Sequence, residues 1–89
     1  MYLGKVIGTV VSTSKNESLA GTKLLLVARL TEQLKPAGGT EIAVDSVGAG
    51  NGEIVIVTSG SSARRVLGKD ASVIDAAIVG IVDTVQAVS

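Results

Sequence analysis

The sequence predicts an all-β domain, a small five-stranded barrel with one short helical turn. Three observations carry that prediction. Short β-branched and leucine-rich runs recur five times, each bounded by glycine or polar breaks. Hydrophobic residues make up 46% of the chain and aromatics 1%, so any core is aliphatic. Glycines 4, 8 and 80 fall inside the runs, as expected where a small barrel bends. With 89 residues the chain reads as one domain, 1–89. A domain of that size buries only about 60–65% of its unfolded surface, so its stability calls for help from outside the monomer.

The first strand is expected at Leu3–Thr13, followed by polar turn residues Lys15 to Ser18. The second is expected at Lys23–Leu30. Its leucines also suit a helix, but the short length and the preceding Gly21 favour a strand. Glu32 to Gly39 reads as a loop, because Pro36 and Gly38-Gly39 are breakers. Thr40–Val47 alternates in part, with Ile42 and Val44 on one face and Glu41, Ala43 and Asp45 on the other. Gly48-Ala49-Gly50-Asn51-Gly52 forms a turn before the fourth strand, Glu53–Thr58. Ser61 or Ser62 caps a short helical turn that Gly68 ends, and Val73 to Ala77 reads as another brief helical turn. Ile78–Val85 is the last strand. Five such strands match an OB-like barrel.

Composition excludes several functions. Eight Lys and Arg against eight Asp and Glu give zero net charge, with no basic stripe for nucleic acid or an anionic membrane. No apolar run reaches the roughly 20 residues of a membrane helix, and the first residues lack a signal-peptide layout. The chain has no Cys and no His, which removes disulfides, thiolate sites and the usual partner of a serine nucleophile. The glycine-rich turn is followed by a β-branched strand, whereas a dinucleotide fingerprint needs a helix there. Asp45, Glu53, Asp75 and Asp83 lack metal-ligand spacing and read as solvated or hydrogen-bonded turn carboxylates. No catalytic residue, metal site or cofactor is expected.

Four segments then carry a resemblance: GKVIGTVVSTSK near the start, LAGTKLLLV at Leu19 to Val27, VDSVGAGNGEIVIVTSGSSAR at Val44 to Arg64, and VIDAAIVGIVDTV at Val73 to Val85. In this order the chain resembles the CcmL/EutN family, the pentameric vertex proteins of bacterial microcompartment shells. The resemblance implies an OB-like barrel and a homopentamer at the fivefold corners of a shell in the bacterial cytoplasm. It also implies facets built by hexameric shell proteins, and a metabolosome rather than a carboxysome. Gly48, Ala49 and Gly50 are candidates for the fivefold axis, where five backbone turns would converge; the plainer reading is a hairpin turn needing positive φ. Arg64, Glu53 and Asp45 are candidates for the subunit interface, Arg64 because a guanidinium suits planar multi-point contacts. The competing reading is an OB-type nucleic-acid or ligand-binding module without catalysis. It wants stacking aromatics, and the chain has Tyr2 alone.

Overall fold

In the computed structural model, residues 1–11, 22–60, 63 and 75–86 are described. Five strands follow in order: β1 (Tyr2–Val10), β2 (Leu24–Leu30), β3 (Pro36–Asp45), β4 (Ile54–Ser59) and β5 (Ala76–Val82). They close into a barrel in the order β1-β2-β3-β5-β4, an OB-like arrangement. Every neighbouring pair is antiparallel except β3 and β5. That parallel seam is narrow, with Val44 opposite Ala77 and Asp45 opposite Ile78 as its register pairs. A hydrogen bond from Ser46 Oγ to the Ile78 carbonyl, 2.5 Å, reinforces it.

The barrel interior is aliphatic, as composition requires. Val6, Leu25, Val27, Ala43, Val55, Val57, Ala76 and Ile78 form the buried cluster, with Ala49 at one end and Tyr2 packed on it. Strand alternation sends the other residues of the same apolar runs outward. Leu24 and Leu26 on β2, and Ile54 and Ile56 on β4, stand half-buried on the outer surface. The barrel therefore has apolar groups on both sides of its wall.

Several boundaries differ from expectation. Pro36 to Gly39 belong to β3 rather than to a loop: Pro36 stands opposite Leu30 of β2, the register slips before Thr40 meets Ala28, and all four residues are exposed. At such an edge proline's missing N–H costs no ladder bond, and Pro36 opens the strand. Ala43 and Val44, expected on opposite faces of β3, are both buried, while Ile42 is 52% exposed; Ala43 stands opposite Leu25 in the core and Val44 opposite Ala77 at the seam with β5. Ala76 and Ala77 extend β5 instead of forming a helical turn. The helical turn expected after Gly60 falls outside the described residues apart from Ala63, which is helical and buried.

The connection between β2 and β3 carries one backbone irregularity. Thr31 N–H donates to the Lys35 carbonyl at 2.8 Å and Leu34 N–H to the Thr31 carbonyl at 2.9 Å. This tight closure holds Leu34 at φ 62°, a left-handed conformation that costs an ordinary residue about 1–2 kcal/mol. Asparagine tolerates that region better. Leu34→Asn is therefore expected to raise the melting temperature by a few degrees. A lower melting temperature would mean that packing of the leucine outweighs the relief of strain.

Candidate functional site

The turn from Ser46 to Gly52 is the most organised loop among the described residues, and its order comes from two carboxylates. Asp45 ends β3, and its Oδ1 accepts hydrogen bonds from Val47 and Gly48 N–H, each at 3.0 Å. Asparagine-type turns of this kind are local and depend only on a short acceptor at the strand end. Glu53, just before β4, holds the far side. Its Oε1 accepts from Gly50 N–H at 2.6 Å, while its own N–H donates to the Gly50 carbonyl at 3.2 Å. Gly48 and Gly52 lie at φ 82° and 86°, where a side chain would be strained. Between them Ala49 turns inward and is 1% exposed, so its methyl closes that end of the barrel.

Lys23 ties this loop to β2. Its Nζ donates to the Ala49 carbonyl at 3.0 Å and sits 3.3 Å from Asp45 Oδ2. The Asp45 side chain is 1% exposed and that of Lys23 52%. Among the described residues Oδ2 has no aligned hydrogen bond, so the pair is a charge contact rather than a directed one. Burial works against ionisation of Asp45. The N–H groups of Val47, Ala49 and Gly48 and the Lys23 ammonium outweigh it and hold the carboxyl below its ordinary range.

A second polar cluster closes the opposite end of the barrel. Tyr2 O–H donates to Glu41 Oε1, and the Arg29 guanidinium lies 4.0 Å from the Tyr2 ring centroid. Burial and then the Glu41 carboxylate push the Tyr2 phenol above its usual range, with Arg29 partly opposing. An open cleft of about 220 Å³ lies beside them, floored by Gly38, Gly39 and Thr40.

Of the residues singled out by sequence, Gly48, Ala49, Gly50, Asp45 and Glu53 share this one loop. Gly48 and Gly50 are exposed, whereas Ala49 is interior. Asp45 and Glu53 make intrachain hydrogen bonds to the loop. Arg64 lies outside the described residues. Two features escaped the sequence reading: Lys23 as the loop's anchor, and the Tyr2–Arg29–Glu41 cluster. Tyr2's being the sole aromatic residue was the available signal for the second. Among the described residues no three carboxylates converge to hold a metal ion.

The family model described as "Ethanolamine utilisation protein EutN/carboxysome" matches residues 1–83. The chain is 78% identical, over the whole of both chains, to the bacterial microcompartment shell vertex protein GrpN of Rhodospirillum rubrum. The solved structure of that GrpN, a pentameric microcompartment shell protein, superposes with a TM-score of 0.90 over 99% of this chain and all of its own. Salmonella typhimurium PduN, also a microcompartment shell vertex protein, is 53% identical over 97% of this chain and 99% of its own length. The carboxysome shell vertex protein CcmL of Synechocystis is 51% identical over all of this chain and 89% of its own.

Proposed function

This chain belongs to the EutN/CcmL family, and on that premise we propose that it is a structural shell protein, a pentamer capping the fivefold vertices of a bacterial microcompartment. The observation that carries the reading is full-length identity of 78% to a vertex protein whose structure is pentameric. A closed polyhedral shell needs fivefold corners, and five identical head-to-tail contacts make one. Higher identity to GrpN than to the carboxysome protein supports a metabolosome-type shell.

The rest of the reading follows from that role. The chain acts as one domain, 1–89, without catalysis, in a shell within the bacterial cytoplasm, where hexameric facet proteins surround it. Gly48 and Gly50 lie near the fivefold axis, with main chain rather than side chains facing it. Asp45 and Glu53 stiffen that loop so that five copies present the same shape. Arg64 pairs with a carboxylate or carbonyl of the adjacent subunit.

The nucleic-acid reading is disfavoured by a specific contact. Tyr2, the one aromatic, has a ring face covered by Arg29 and its hydroxyl engaged by Glu41. No stacking platform is left for a base. Native mass spectrometry of the chain at micromolar concentration should return a mass of five copies. A folded monomer, or a closed ring of another size, would sink the vertex assignment.

A further inference from the structure

We propose that Asn51 is a site of spontaneous deamidation whose rate is set by opening of the glycine-rich turn. The inference stands apart from the pentameric reading, because it joins one sequence fact to one backbone contact. Asn51 is followed by Gly52, and with no side chain at 52 nothing hinders its nitrogen from reaching the asparagine amide. Both residues are exposed, so water has access to them. Asn16, the other asparagine, is followed by Glu17 and lacks that freedom.

The step balances with water alone. The Gly52 nitrogen gives up its proton and attacks Asn51 Cγ. The new C–N bond closes a succinimide ring, and the Cγ–Nδ2 bond breaks, Nδ2 leaving as ammonia with that proton. Water then opens the ring at Cγ to leave aspartate, or at the backbone carbonyl carbon to leave isoaspartate. Either product adds a carboxylate to a chain of net charge +0, in the turn that Asp45 and Glu53 already flank.

The folded turn opposes the first step, because the nitrogen that must attack is committed elsewhere. Gly52 N–H donates to the Val6 carbonyl at 2.8 Å, and Val6 N–H donates to the Glu53 carbonyl at 3.0 Å. These two bonds carry the β1–β4 pairing one step beyond Lys5 and Ile54. Val6 is 1% exposed and belongs to the core cluster, so the anchor is part of the barrel wall. On the other side, Glu53 N–H donates to the Gly50 carbonyl at 3.2 Å. That bond closes a tight turn with Asn51 and Gly52 at its centre, and Gly52 at φ 86° suits the third position. For the succinimide to form, Gly52 must release the Val6 carbonyl and swing onto the Asn51 side chain. Reaction is therefore confined to copies whose turn is open, a local equilibrium separate from global unfolding. Asp45, through Val47 and Gly48, and Lys23, through the Ala49 carbonyl, hold that equilibrium toward the closed form. The chemistry at Asn51 thus records how long a copy has spent with its turn open.

Peptide mapping by mass spectrometry, after incubation in mildly alkaline buffer, tests the proposal. The unaltered chain unfolded in guanidinium chloride is expected to convert at Asn51 at least about tenfold faster than the same chain folded, since only the open fraction of the latter reacts. Folded Asp45→Ala should fall between the two, and in guanidinium chloride it should match the unaltered chain. Asn16 should convert more slowly than Asn51 in the unfolded chain. Equal rates in the folded and unfolded chain, or a folded Asp45→Ala as protected as the unaltered chain, would overturn the gating by the turn. An unfolded chain that loses Asn51 no faster than Asn16 would overturn the site itself. Circular dichroism shows whether Asp45→Ala is folded. If it is not, Lys23→Met, which removes the donor to the Ala49 carbonyl, takes its place with the same expected and overturning results.

Discussion

Gly4→Ala is expected to destabilise the barrel by about 1–3 kcal/mol, the usual cost of forcing an extra group into a packed interior. Gly4 sits on the inward side of β1, where a β-carbon would collide with Val27 Cγ1 and lie 3.2 Å from the Ala28 carbonyl. Val27 is fully buried and packed within the core cluster, so moving it disturbs its neighbours. The backbone oxygen belongs to the paired strand and cannot move without breaking the ladder. At about 4–8 °C per kcal/mol for a domain of this size, the melting temperature should fall by several degrees or more. Gly8→Ala is the internal comparison. Its β-carbon would meet only Leu26 Cβ at 3.9 Å, an ordinary contact. Thermal melts followed by circular dichroism at one fixed concentration decide the point. Equal melting of the two variants would show that β1 shifts freely away from β2.

Asp45→Ala should cost about 1.5–3 kcal/mol, the range for hydrogen bonds to a charged group. Two loop N–H groups and the Lys23 ammonium lose their acceptor together. The half-exposed ammonium regains water, which places the expected value toward the lower end. Lys23→Met should cost about 1–3 kcal/mol, because it leaves the buried Asp45 Oδ2 without its countercharge and the Ala49 carbonyl without its donor. The acid dependence has a definite sign. Because the folded carboxyl titrates below its unfolded value of about 3.9, its contribution is fully present above that pH. It disappears as the pH falls through the lower native value. Asp45→Asn should therefore melt below the unaltered chain at pH 7 and converge with it in strong acid. A gap that stays constant with pH would assign the stabilisation to shape instead of charge.

The barrel was legible because its signals are local. β-Branched runs separated by glycine and polar breaks gave five strands at nearly their true positions, and the glycine-rich turn fell where two glycines do adopt positive φ. What escaped was information that only the fold brings together. Pro36 reads as a breaker in one dimension, yet an edge strand has a side on which a missing N–H costs nothing. Ile42 outranks Ala43 in hydrophobicity, yet Ala43 is the residue that stands opposite the buried Leu25 and enters the core. Lys23 and Asp45 are far apart in sequence, and no periodicity links them. Tyr2, Arg29 and Glu41 meet because β1, β2 and β3 run side by side at one end. The loop's carboxylates were visible as turn residues, while their partners were not.

The two-pair parallel seam has a mechanical consequence. Closing a cylinder with so few rungs makes it a clasped band, stiff along four of its strand junctions and compliant at the fifth. Local opening proceeds where the fewest contacts must break, so β3 and β5 part before any other neighbours. Ser46, bridging the junction from the start of the glycine-rich turn, couples that clasp to the loop. A block fitted into a curved corner can then absorb angular misfit by flexing along one line, while its aliphatic interior and its other ladders keep their register.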